Sequence, residues 1–356
     1  MSERISAKDF TMRVLNGTAV GIVVALIPNA VLGGLFKYLG ANYHPIFLTL
    51  AAVCANIQWI IAPMIGFLVG LQFKFNPMKS AIISAAAWIG SGALVAQAPV
   101  DGKVFYAIGL GDLINVMLVC AIAVYVTQLL GEKLGSLTIV LQPIIVGAGV
   151  GFLGLLMLPY VKLISQAIGG GINSFTTLQP IIMCVLIAMS FAVLIISPIS
   201  TVAIGIAIGL MGLASGAANI GVSATAAVLV VGSFKVNKAG VTLAVGLGGM
   251  KMMMPNLVKN PIMLLPVLTT AFFSGLGVRF LNIMGDSVSA GFGFVGLVGP
   301  IKAMAEYTNM GISSATGLVY ILIGYVLIPF GVAILSHILY TKVLKIYSSD
   351  IYLFNN

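Results

Sequence analysis

Of the 356 residues only 7% are charged and 60% are hydrophobic, with a mean hydropathy of +1.16. Soluble domains carry about 25% charged residues, so this composition excludes a water-soluble enzyme or binding module and indicates an integral membrane protein. The formal net charge of +9 is spread along the chain, which fits lysine-bearing loops on one side of a bilayer and excludes a nucleic-acid surface.

Taken in order, the chain opens with charges of both signs in MSERISAKDFTMRVLNG and shows no cleavage site ahead of the long apolar run, so no processing is expected. Residues 2–16 are expected to form a short interfacial helix. Apolar runs near the roughly 20 residues that a spanning helix needs then recur. The first is expected over 18–36, kinked at Pro28-Asn29, and the second over 46–71, with Asn56, Gln58 and Pro63 inside it. A span rich in small residues follows over 80–98, then a fourth over 104–130 and a fifth over 137–160. The cysteines Cys54, Cys120 and Cys184 sit singly in such runs, at no metal or disulfide spacing, and are expected to be packing residues; no cofactor and no metal site is expected.

Over 161–178 the pattern changes. Val161, Ile164, Ile168, Ile172 and Phe175 recur at steps of three and four, while Lys162, Ser165 and Gln166 take other faces. This stripe, broken by Gly169-Gly170-Gly171, is expected to lie in the membrane interface and to divide the chain into halves 1–160 and 179–356. The second half has expected spans over 179–197, 199–216, 221–234, 261–281 and 315–344. The pentapeptide LQPII occurs at 141–145 and again at 178–182, too short a match in an Ile/Leu-rich chain to establish a repeat.

Two stretches fit no spanning helix. Residues 246–261 read GLGGMKMMMPNLVKNP and residues 291–300 read GFGFVGLVGP. Proline lacks the helix donor and glycine is a poor helix former, so both are expected to be broken helices or hairpins. Irregular backbone at membrane depth is tolerated only inside protein or beside a water-filled cavity, and transporters build substrate sites this way. The alternative for 246–261 is a cytoplasmic loop. The expected fold is therefore all-α and membrane-integral: about ten spans, two re-entrant hairpins and one interfacial helix. With the N-terminus inside, Lys74/Lys79, Lys133, Lys235/Lys238 and Lys342/Lys345 fall on the cytoplasmic side and Lys37, Lys103 and Arg279 outside, so both termini are expected to be cytoplasmic.

Amides and an ammonium bracket hydroxyls or an anionic group, which makes Asn256, Lys259 and Asn260 the first candidates for substrate contact, with Gly248-Gly249 allowing close backbone approach. The alternative is that the asparagines cap helix ends and the lysine faces solvent. Glu306, after the second stretch, is a candidate acceptor, since carboxylates near a membrane interior are costly; otherwise it is a solvated loop residue. Asp112 and Asn115 share one helical face of the fourth span and either contact substrate or lock packing, the latter favoured for Asp112. Asp286 reads as a loop acid and His337 as a packing residue. Met250, Met252, Met253 and Met254 form either an adaptable apolar wall or the packing face of the hairpin.

Several segments together resemble the membrane-embedded enzyme IIC family of the phosphotransferase system: FTMRVLNGTAVGIVVALIPNAVLGGL, SPISTVAIGIAIGLMGLASGAANIGVSATAAV, MPNLVKNP and GFGFVGLVGP, in that order. More narrowly they resemble its stand-alone branch, which also includes proteins labelled PfoR-type regulators. The resemblance implies a homodimeric sugar permease of the bacterial inner membrane, with a dimerisation scaffold in the first half and a moving substrate domain in the second. It also implies a separate enzyme IIB partner, because no such domain is present. Many sugar-specific members place a histidine and a glutamate near the sugar; here His44 lies in an early loop and His337 in the last span, away from both Gly-rich stretches.

The expected function is a permease subunit moving a sugar or related polar metabolite by alternating access. The alternatives are a membrane-embedded regulator and a carrier not coupled to phosphotransfer. An intramembrane enzyme is disfavoured, as no metal-binding His pair or Ser–His arrangement appears.

Overall fold

The computed structural model describes residues 5–97 and 106–354. Lys103 and the expected span boundaries at 98 and 104 lie outside the described residues. Among those described, seven helices are long and apolar enough to cross a membrane: Ala7–Asn42, Ile46–Gln72, Leu113–Leu130, Gly135–Phe175, Gly212–Ser233, Pro261–Leu281 and Ser314–Val343. The bent pair Ala239–Gly246 and Met250–Lys259 makes an eighth if it is one broken span. The segments expected near 80–98 and 179–197 are the shorter helices Pro77–Gly90 and Pro180–Leu194. The chain divides into two compact units, Met1–Asn29 with Ala52–Ile164, and Ala30–Ala51 with Ser165–Asn356.

In the first unit, Ser6 starts the helix Ala7–Pro28 by accepting from the Asp9 N–H at 3.0 Å. Among the described residues no separate helix precedes the span: one helix runs from Ala7 through the charged residues into the apolar run. Gly17 and Gly21 press on the next helix, where a Cβ would stand 2.6 Å from Val69 Cα and 2.8 Å from Ile65 Cα. Gly66 and Gly70 repeat this against Ser84 and Ser80, at 2.7 Å in each case. Small residues four apart bring helices close enough for extensive van der Waals contact, the attraction left to them in lipid.

The helix Pro77–Gly90 is capped by Asn76, which accepts from the Lys79 N–H at 2.9 Å, and it ends at Gly90, short of the expected span end. Leu94–Ala96 then pairs antiparallel with Tyr106–Ile108, a small sheet that the all-helical expectation lacked. The β-favouring Leu-Val and Tyr-Ala-Ile runs sit between glycines that stop helices on either side. The next helix begins at Leu113 with Asp112 as its N-cap, so Asp112 precedes the span instead of lying within it.

Asn115 is fully buried, and its Nδ2 donates to the Gly90 carbonyl at 2.6 Å and the Gly154 carbonyl at 2.9 Å, tying three helices together. Asn115→Leu keeps the approximate volume but strands both carbonyls. It is expected to cost about 1–3 kcal/mol in a denaturation series on the detergent-purified protein.

Gly135–Phe175 runs as one helix with a π-helical stretch at Pro143–Val150. Its continuation through Gly169-Gly170-Gly171 corrects the expected break. Glycine costs a helix only about 1 kcal/mol per residue, and the apolar flank at Ile164, Ile168 and Ile172 outlasts that cost.

The second unit is built around Gly212–Ser233, which is buried on every face. It packs against Pro180–Leu194, Leu264–Leu281 and Ile328–Ile338. The expected spans over 199–216 and 221–234 are instead the short helix Thr201–Ala207 and this single long helix. Gly209 (φ 63°) and Gly212 (φ 57°) make the break between them, a left-handed backbone that other residues rarely adopt.

Candidate functional site

The two Gly-rich stretches meet inside the second unit. A Cβ on Gly248 would stand 2.9 Å from Val295 and 3.0 Å from Ala30, so the first stretch can lie against the second only with glycine there. The first is a sharp bend of 117° between Ala239–Gly246 and Met250–Lys259. Met250, Met252, Met253 and Met254 are all buried in it and form its packing face. Lys251 is buried among them; its Nζ donates to the Ser197 carbonyl and, at 2.7 Å, to the Ile199 carbonyl, beside Pro198.

The second stretch is held from two sides. Asn219, fully buried in the central helix, accepts from the Phe292 N–H at 3.2 Å and the Gly293 N–H at 3.0 Å. Thr201 Oγ1 donates to the Gly291 carbonyl at 2.9 Å, and the Gly299 N–H closes the loop on the Gly293 carbonyl at 3.2 Å. Gly291, Gly293, Gly296 and Leu297 all take left-handed backbone; for leucine that conformation is strained.

The sequence candidates find varied partners. Asn256 Nδ2 donates to the Ile351 and Leu353 carbonyls at 2.8 Å each, so it holds the C-terminal segment. Asn237 does the same, donating to the Tyr352 carbonyl at 2.7 Å and accepting from the Phe354 N–H at 2.8 Å. Lys259 is exposed. Asn260 ends the helix Met254–Lys259, its N–H donating to the Asn256 carbonyl at 2.8 Å. Asp112 accepts from the Asn115 N–H at 2.9 Å in the first unit. His44 Nδ1 accepts from the Ile46 N–H at 3.2 Å, and His337 Nε2 lies 3.2 Å from Ser349 Oγ.

Glu306 pairs with Lys302 at 2.9 Å, and Lys302 also reaches Asp286 at 3.2 Å. Burial works against the ionised Asp286 carboxyl, but the Ser289 donors and the Lys302 ammonium outweigh it and hold the carboxyl below its usual range. The hydrogen bonds to Glu306 and Asp286 raise Lys302 above the usual lysine value. A depressed carboxyl stabilises the fold above its unfolded pKa of about 3.9 and loses that contribution as pH falls through the folded value. The melting temperature of Asp286→Asn is therefore expected to lie below that of the wild type from neutral pH down to about pH 5. Below about pH 4 the two curves converge, and a pH series of melting curves checks this.

Asn219 and Thr201 were not singled out by sequence reasoning. The available signal was Asn219 itself, a lone carboxamide in the small-residue run SGAANIGVSATAAV. Nothing in the sequence tied that run to residues some 70 positions on.

A family model described as "Phosphotransferase system, EIIC" matches residues 12–354. Neither the curated proteins nor the solved structures contain a match to the chain.

Proposed function

The chain belongs to the enzyme IIC family of the phosphotransferase system, and from that premise we propose that it carries a sugar or related polar metabolite across the membrane by alternating access. Membership makes it a membrane sugar-transport permease subunit, not itself an enzyme. The observation that carries the finer reading is the meeting of the two Gly-rich stretches at Gly248 and Val295, with buried polar side chains holding both.

In this reading the cargo binds in the second unit. Asn256, Lys259 and Asn260 approach it from the bent pair, and Glu306 approaches it from the helix after the glycine loop. Asp112 and Asn115 serve the packing of the first unit, which acts as the scaffold of a homodimer. A separate enzyme IIB phosphorylates the sugar, and both termini face the cytoplasm of a bacterial cell. The Lys302–Glu306 pair supports a cargo role for Glu306, because a carboxylate already paired with a cation offers directed acceptors to hydroxyls without the full cost of an isolated charge.

The test is a thermal-shift screen of the detergent-purified protein against hexoses, polyols and sugar acids, followed by uptake in proteoliposomes. A ligand that binds only the folded state raises the melting temperature by mass action, and Glu306→Gln is expected to shrink that shift. Well-folded protein that neither binds nor moves any member of the panel would sink the proposal.

A further inference from the structure

Asn256 is a candidate cargo contact whose amide already has partners. A carboxamide nitrogen carries two hydrogens, and both of those on Asn256 Nδ2 are taken, by the Ile351 and Leu353 carbonyls at 2.8 Å each. Those carbonyls present to the amide what a sugar hydroxyl would, an uncharged oxygen lone pair at hydrogen-bond distance. A cargo oxygen can therefore reach this nitrogen only by displacing the C-terminal segment.

The segment is attached in a way that lets it leave. Among the described residues, no backbone-to-backbone hydrogen bond joins residues 349–354 to the rest of the second unit. The bonds that cross come from side chains: Asn256, then Asn237 on the Tyr352 carbonyl and the Phe354 N–H, and His337 beside Ser349 Oγ. The segment's own turn is closed internally. Ser348 Oγ donates to Asp350 Oδ2 at 2.9 Å, and the Leu353 N–H donates to the Asp350 carbonyl at 2.9 Å, so these bonds survive when it lifts. Tyr352 is its one fully buried side chain, while Asp350 and Leu353 are exposed. A stretch held by one ring and a few side-chain bonds opens at lower cost than the core beneath it.

Resting on the carrier reading above, we infer that residues 349–354 form an autoinhibitory strap, whose Ile351 and Leu353 carbonyls compete with cargo oxygens for the Asn256 amide. Asn256 belongs to the bent pair, and Asn237 to the turn between the central helix Gly212–Ser233 and that pair, so the closed strap also ties the two together. Cargo binding lifts the strap, and a lifted strap frees the amide. The two effects are equal in free energy, because linkage between binding events is reciprocal. While the strap is closed in most molecules, the apparent affinity for cargo is lowered by the fraction that is open.

The test measures binding by titration calorimetry to the wild type, to Asn237→Ala and to the chain ended at Ser348, all in detergent. The probes are the hexoses, polyols and sugar acids of the screen above, D-glucose, D-mannitol and D-gluconate among them. Asn237→Ala removes two strap bonds at a residue outside the cargo site, and it decides the outcome alone if the shortened chain does not fold. Both variants are expected to bind a probe about tenfold more tightly than the wild type does. A saturating probe is expected to speed carboxypeptidase removal of residues 349–354 from the wild type. Binding seen only in the variants supports the strap too, as closure that hides the amide. Lost stability by itself weakens binding and does not tighten it. If Asn237→Ala binds no more tightly than the wild type, or if a bound probe slows digestion, the inference fails while the carrier reading stands. Silence of all three proteins toward every probe overturns both.

Discussion

Gly221→Val is expected to leave little folded protein in a detergent extract, whereas Gly240→Val leaves the yield of monodisperse protein near that of the wild type. The contrast follows from what each new side chain meets. At Gly221 a Cβ would overlap the carbonyl group of Ala188 on the neighbouring helix, and at Gly240 it meets nothing within 4 Å. Backbone cannot rotate away as a side-chain tip does, so Pro180–Leu194 and Gly212–Ser233 must separate along the line that organises the second unit. Overpacking of this kind costs about 3 kcal/mol or more when no rotamer relieves it, while an exposed change free of contacts stays within about 0.5 kcal/mol. Size-exclusion profiles of the two variants read the difference; equal profiles would mean that this helix contact does not organise the unit.

Tyr352→Ala is expected to release the C-terminal segment and to destabilise the second unit by about 3–5 kcal/mol, the usual cost of emptying a buried aromatic site. Tyr352 is fully buried, its ring lying on Gly232 and 6.2 Å from those of both Tyr347 and His337. The backbone around it is held by Asn237 and Asn256. Gly232→Ala attacks the same seat from the other side, since its Cβ would come within 2.7 Å of the tyrosine ring. Both variants are expected to make residues near 348–354 sensitive to carboxypeptidase at temperatures where the wild type resists. Unchanged digestion in both would show that the segment is held without its aromatic anchor. Since Asn256 grips this segment and also sits on the bent pair, loosening the strap is expected to loosen the bend as well.

Much of the architecture was legible in one dimension. The runs at 46–71, 261–281 and 315–344 lie within a residue or two of helix ends, because apolar length alone sets where a helix can cross a bilayer. The bend in 246–261 followed from its glycines and prolines, whose backbone chemistry is local. Local rules also misjudged some boundaries. The triple glycine at 169–171 reads as a break, yet the helix passes through it, because neighbouring turns outweigh a modest propensity cost. The run 199–234 reads as two spans, yet its break falls at 208–211 and the rest is one buried helix.

The candidate site was legible only in part. Sequence reasoning found both Gly-rich stretches but not their meeting, since the approach of Gly248 to Val295 depends on packing between segments almost 50 residues apart. It named Asn256 for its amide, but a hydrogen-bond donor does not announce its acceptor, and the acceptors lie some 95 residues away. It passed over Asn219, which holds the Phe292 and Gly293 amides more than 70 residues further along the chain.

The sequence by itself determined that the chain is a helical membrane protein, several of its long apolar spans, and the break in 246–261. Those properties are sums over neighbouring residues: hydropathy, helix propensity and the missing donor of proline. Only the tertiary structure decided which polar groups are satisfied and which are left open, because hydrogen-bond partners and close glycine contacts come from residues far apart in the chain.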